Sequence, residues 1–167
     1  EDAVEHGLYM DDEAIEMMLE RGTYLVPTLM AIVGGLEYAA QANSLPDYAL
    51  EKARGEQENH AESISKAVAA GVKIAMGTDA GVFPHGWNLR ECELMTQVGM
   101  DPMASILATT SSAAELLGWE VQVGTLERGK LADIIVCSED PLANISSLGI
   151  PDNIKIVIKD GEILKQI

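Results

Sequence analysis

Residues 72–77, VKIAMG, are a continuous apolar run broken by one lysine and closed by glycine. A strand with one wet face alternates apolar and polar residues. An unbroken run therefore calls for cover on both faces, as in parallel sheets flanked by helices. The neighbouring sequence fits that demand. AVEHG at 3–7 and TYLVPT at 23–28 are short strand-like pieces. Between the first two, residues 11–22 (DDEAIEMMLERG) gather acids in the first turn, set Ile15, Met18 and Leu19 on one face and stop at Gly22. Residues 46–70 carry a long helical pattern with Ile64, Ala67 and Val68 on one face and Gly71 as its stop. Residues 29–45, LMAIVGGLEYAAQANSL, are apolar but glycine-broken and predict a loop with a short helix.

Strand and helix thus alternate over residues 1–118, which predicts parallel βαβ units. Residues 88–98 read as a helix, Asp101 caps another with Pro102 in its first position, and SAAE at 112–115 is a capping box for a third ending at Gly118. From 119 to 167 the texture turns to β. Residues 124–142 read as turn, strand, turn, and 154–167 as two runs around Asp160-Gly161, a hairpin signal. The expected organisation is an α/β region, 1–118, and a β segment, 119–167. Three strands leave open sheet edges that invite pairing, so the chain is expected to be a piece of a larger barrel or to depend on a partner.

At 47% hydrophobic and 23% charged, the 167 residues can bury a core. The net charge of −16 repels a phosphate backbone, so no nucleic acid is expected as partner. No stretch approaches the ~20 apolar residues of a membrane span, and EDAVEHG at the start shows no basic or apolar signal segment. Cys92 and Cys137 lie far apart in apolar elements and read as reduced core residues of a cytoplasmic protein. The methionines at 17–18, 95 and 100 read as core filler.

Three histidines occur. His6 ends the first strand-like piece and Asp79 follows the 72–77 run, so both stand where βα folds build their sites, at C-terminal strand ends. Imidazole and carboxylate are ordinary zinc ligands, and a carboxylate beside activated water can take its proton. From spacing alone His6 is equally a hydrogen-bonded turn residue and Asp79 a turn cap. Small flanks at Gly77, Ala80 and Gly81 leave room for another group to approach. His85 sits in the same glycine-rich loop, with functional and bland readings open. His60, within GEQENHAES, reads as a solvated surface residue, and the acids at 11–13 as complements of a helix dipole.

VEHG at 4–7, ERGTYLVPT at 20–28, AVAAGVKIAMGTDAG at 67–81 and residues 106–142 (ILATTSSAAELLGWEVQVGTLERGKLADIIVCSEDPL) together resemble the metal-dependent amidohydrolase superfamily, in its imidazolonepropionase-like and Xaa-Pro dipeptidase (prolidase)-like branch. The resemblance implies a (β/α)8 TIM-like barrel with a small β-sandwich, of which this chain would be the C-terminal part, about strands six to eight with 119–167 in the sandwich. It implies that His6 and Asp79 are metal ligands, that Asp79 is also the general base, and that His85 contacts substrate. It implies one or two divalent ions in the complete enzyme, zinc first, with none required to bind this chain by itself, and a small amide or dipeptide-like substrate cleaved at a C–N bond. That family's HxH pair, its lysine on strand four and its histidine on strand five find no match in this chain. The chain alone is therefore expected to be inactive. The other expectation is a non-catalytic truncated fragment that survives by self-association, as a homo-oligomer, or by pairing with a chain supplying strands one to five.

Overall fold

The computed structural model describes residues 2–42 and 46–167, apart from the side chains of residues 47, 49 and 50. Strand β1 (Ala3–Glu5) pairs in parallel with β2 (Tyr24–Val26), Val4 opposite Leu25 and Glu5 opposite Val26. The 72–77 run is the third member. It is bound to β2 through a parallel bridge between Leu25 and Ile74: the Leu25 N–H donates to the Lys73 carbonyl at 2.8 Å and the Ala75 N–H to the Leu25 carbonyl at 3.1 Å. Its ladder is one bridge long, shorter than the expected strand. The three segments form no closed barrel among the described residues.

Both faces of this small sheet are covered, as the apolar run requires. Leu25 points into the main core with Ile15, Met18, Ile64, Ala67, Ile74 and Met95. Tyr24, Val26 and Ala75 point the other way, against Ala113 and Leu116. Each fully buried aliphatic side chain contributes about 1.5–3 kcal/mol relative to an exposed one. Gly77 lets the segments approach, because a Cβ there would stand 2.4 Å from Val26 Cγ1.

Helix α1 (Asp12–Arg21) is capped by the Asp11 carboxylate, which accepts from the Ala14 N–H at 2.8 Å, and ends at Gly22 with φ 64°. Ile15 and Met18 are buried, but Leu19 is 43% and Met17 40% exposed, against the expectation that they join the core. Helix α2 (Leu29–Gln41) is continuous, so the loop expected there is absent over the described residues; 43–45 lie outside them. Its glycines do not break it because they make room: Phe83 packs where the Cβ of Gly34 would be, 2.9 Å away. Helix α3 (Asp47–Ala70) ends at Gly71 with φ 86°, as the sequence suggests.

A 3-10 turn, Asn88–Arg90, leads into α4 (Glu91–Gln97). Helix α5 (Pro102–Thr109) is capped by Asp101, and α6 (Ser111–Leu116) follows directly. The expected capping box at 112–115 does not form. The helix starts two residues earlier, with Thr110 at its N-cap and no side-chain cap bond, and Glu115 turns to Lys73 Nζ at 3.1 Å. Strands β3 (Ile134–Cys137), β4 (Ile154–Lys159) and β5 (Glu162–Gln166) make a second, antiparallel sheet. Its β4–β5 turn has Asp160 and Gly161 both at positive φ, the two-residue turn that the Asp-Gly pair foretold. Cys92, Leu148 and Ile154 form a small core between α4 and this sheet. Both cysteines are free; Cys92 is buried as expected, while Cys137 is only half-buried. No helix among the described residues is long and apolar enough to cross a membrane.

Candidate functional site

The three parallel segments leave the sheet at one edge, and each exit carries a non-glycine residue in the left-handed region: His6 (φ 66°), Thr28 (φ 49°) and Asp79 (φ 51°). Such conformations cost about 1–3 kcal/mol each and persist where the surroundings impose them, most often at functional sites. Here the surroundings are visible. His6 Nδ1 and Thr28 Oγ1 are 2.7 Å apart, so the first two exits are joined directly. The third lies alongside, because a Cβ on Gly77 would come within 3.6 Å of Thr28 Cγ2. Next in the chain, buried Thr78 accepts from Asn88 Nδ2 at 3.0 Å. Asp79 then presents its carboxylate to solvent.

Helix α3 holds the turn at His6 from beneath. His60 Nε2 lies 2.6 Å from the His6 carbonyl, and the Ser63 hydroxyl donates to the Gly7 carbonyl at 2.6 Å. His60 is thus buried, 2% exposed, not the surface residue its polar neighbours suggested. Burial holds its pKa below the ordinary histidine value. Its sequence signal is the helical period: Ile64 and Ala67 stand four and seven residues on, along the same face.

Beneath Thr28 lies Glu91, fully buried, which accepts from the Leu29 N–H at 2.8 Å and the Met30 N–H at 2.7 Å. Burial pushes its carboxyl up to about 7, against the opposing pull of those two amides. Sequence reasoning passed over Glu91 and Thr28. For Glu91 the available sign was its apolar helical face, shared with Leu94, Met95 and Val98.

The loop after Asp79 is tied to α2. Phe83 is buried and stacks on Trp87, with ring centroids 6.4 Å apart. Arg90 lies over the Trp87 ring and forms two bonds to Glu37 at 2.7 and 2.8 Å, holding the Glu37 carboxyl below its usual range. His85 is exposed in this loop, six residues beyond Asp79. Beside the exits a groove of about 640 Å³ is lined by Leu8, Ile32, Leu36, Ala39 and Val82. It touches both the turn after His6 and the loop after Asp79.

The edge therefore offers an imidazole and an exposed carboxylate, both suited to a divalent cation. With Nδ1 engaged by Thr28, His6 has Nε2 left for a ligand bond. No hydrogen bond joins His6 to Asp79. Among the described residues no third His, Cys, Asp or Glu completes a cluster with them.

The chain matches the Amidohydrolase family over residues 1–164. It is 31% identical to the ochratoxinase of Aspergillus niger over 165 residues, covering 98% of this chain and 34% of that protein. A crystal structure of a Xaa-Pro dipeptidase with bound methionine in its active site superposes with a TM-score of 0.84 at 40% identity, over 98% of this chain and 40% of that one. A prolidase complexed with N-methylphosphonate-L-proline superposes with a TM-score of 0.85 at 26% identity, over 99% of this chain and 40% of that one. The chain spans between a third and two fifths of the length of these relatives.

Proposed function

We propose, since this chain belongs to the amidohydrolase family, that it forms part of a metal-dependent hydrolase of amide, cyclic amide or dipeptide C–N bonds. In this reading β1, β2 and the 72–77 segment are the last three strands of a barrel. The observation that carries it is the pair of left-handed exits at His6 and Asp79 on one edge of a parallel sheet, the geometry in which barrels place their chemistry.

His6 would hold a divalent ion through Nε2, with zinc the first choice for this pair of donors, and Asp79 through a carboxylate oxygen. The ion, when bound, supplies Lewis acidity toward the scissile carbonyl and the attacking water. Asp79 takes the proton of that water on its carboxylate and returns it to the leaving nitrogen. Thr28 keeps the His6 ring from turning away. The groove between Leu8, Ile32 and Val82 receives an apolar part of the substrate, and His85, on the loop that borders it, contacts the substrate's polar end.

The two donors found among the described residues are fewer than a catalytic zinc site uses, and in this reading polypeptide beyond this chain supplies the rest. Exposed apolar side chains support such a partner: Leu117, Val121 and Leu126 are 71%, 72% and 80% accessible. The chain alone is expected to give no turnover. Joined to polypeptide that supplies the remaining ligands, it is expected to give metal-dependent amide hydrolysis. In that enzyme Asp79→Asn lowers kcat by on the order of 10²–10⁴ with KM little changed. Metal-dependent turnover by the chain alone, or an Asp79→Asn enzyme of undiminished kcat, contradicts this reading.

A further inference from the structure

We propose that Glu91 is a positioning residue that orients the His6 ring through the start of α2 and Thr28. The inference rests on the reading of His6 as a metal ligand only for its functional consequence; the positioning itself stands on geometry.

The start of α2 is capped in an unusual way. A threonine at the N-cap ordinarily takes extended backbone and turns its hydroxyl onto an amide of the first turn. Thr28 does neither. Its φ is 49°, and no side-chain cap bond is made. Its hydroxyl is engaged instead by His6 Nδ1 at 2.7 Å. The first two amides of the helix, those of Leu29 and Met30, are taken by the two oxygens of Glu91, which arrives from α4 sixty-two residues beyond Leu29 along the chain. Among the described residues the carboxylate has no lysine or arginine partner; it is fully buried and sits at the positive end of a 13-residue helix.

An ordinary threonine cap would have satisfied the Met30 amide without a buried carboxylate. What the arrangement adds is a free hydroxyl, held 2.7 Å from the ring nitrogen that fixes how His6 faces outward. Partners of this kind, behind a metal-binding histidine, set its tautomer and ring direction, and their loss typically costs 10- to 100-fold in metal affinity.

The test observes the His6 ring itself. In ¹H–¹⁵N spectra of the chain without metal, the His6 ring nitrogens are expected to show one dominant tautomer. In Glu91→Gln they are expected to move half or more of the way to free-imidazole positions, with the fold retained by circular dichroism. Thr28→Val is expected to cause the same movement, and the double variant no more than either alone. In the chain joined to polypeptide that supplies the remaining ligands, zinc affinity, measured by calorimetry, is expected to fall about tenfold in Glu91→Gln. If Glu91→Gln does not fold, Glu91→Asp, with the carboxylate one methylene short, answers through the same signals. Ring signals unmoved in a folded Glu91 variant, or shifts that add in the double variant, overturn the proposal. If the chain joined to polypeptide that supplies the remaining ligands binds no zinc while the ring signals still move, the metal reading fails and the positioning role stands.

Discussion

Through Glu91 alone the chain is expected to lose about 3 kcal/mol of folding stability between pH 4.5 and 7, and the Glu91→Gln variant to lose none of it. The carboxyl is buried in the folded chain with its pKa raised to about 7, above its ordinary value of 4.5 in the unfolded chain. Its contribution to stability is therefore complete below pH 4.5 and is lost as the pH rises through 7. Ionisation is opposed by burial and only partly offset by the two amides of α2. Glutamine cannot ionise, and its single carbonyl oxygen satisfies one of those amides. Urea unfolding across this pH range, compared between wild type and variant, isolates the residue. Paired carboxylates such as Glu37, Glu115 and Asp133 have lowered pKa values and act in the opposite sense at lower pH, but they cancel in the difference. A wild-type profile parallel to that of Glu91→Gln contradicts this account of the buried carboxylate. One that diverges as expected would also show that the group which frees Thr28 is held at a cost in stability, a trade familiar at functional positions.

Gly77→Ala is expected to destabilise the chain by about 1–3 kcal/mol. The added methyl would stand 2.4 Å from Val26 Cγ1, inside any real carbon–carbon contact, and 3.6 Å from Thr28 Cγ2. Neither neighbour can retreat easily. Val26 is buried against Tyr24 and Ala75, and Thr28 is fixed by His6. The remedy is specific: Val26→Ala removes the clashing methyls, so the double variant is expected to be more stable than the two single effects predict by 0.5 kcal/mol or more, the signature of contact in a mutant cycle. Chemical denaturation of the four proteins measures it. Strict additivity would mean that the third segment does not pack on β2 as described, and the shared edge would lose its basis.

Much of this was legible in the chain because it depends on local chemistry. The acids at 11–13, Gly22 and Gly71, Asp101-Pro102 and Asp160-Gly161 act within a turn of themselves, and each cap or turn stands where the sequence puts it. The apolar run at 72–77 announced cover on two faces because that is a property of the run itself. What was hidden depends on distant partners. Glu115 left its capping role for Lys73, forty-two residues away. Gly34 sits inside a helix because Phe83 fills the space beside it. His60 has polar neighbours along the chain, but its period with Ile64 and Ala67 places it in the core. At the site, His6 and Asp79 were visible as strand-end residues. Thr28 and Glu91 were not, since their role exists only once three strand exits and two helices share one corner.

In the proposed enzyme the left-handed exits at His6 and Asp79 hold one divalent cation between them. Calorimetric titration with zinc of the chain joined to polypeptide that supplies the remaining ligands tests it, comparing wild type with His6→Ala and Asp79→Asn. Wild type is expected to bind zinc with an affinity at least tenfold greater than either variant, and circular dichroism checks that His6→Ala, which also loses the bond to Thr28, keeps its fold. Equal zinc affinity in all three proteins would contradict it.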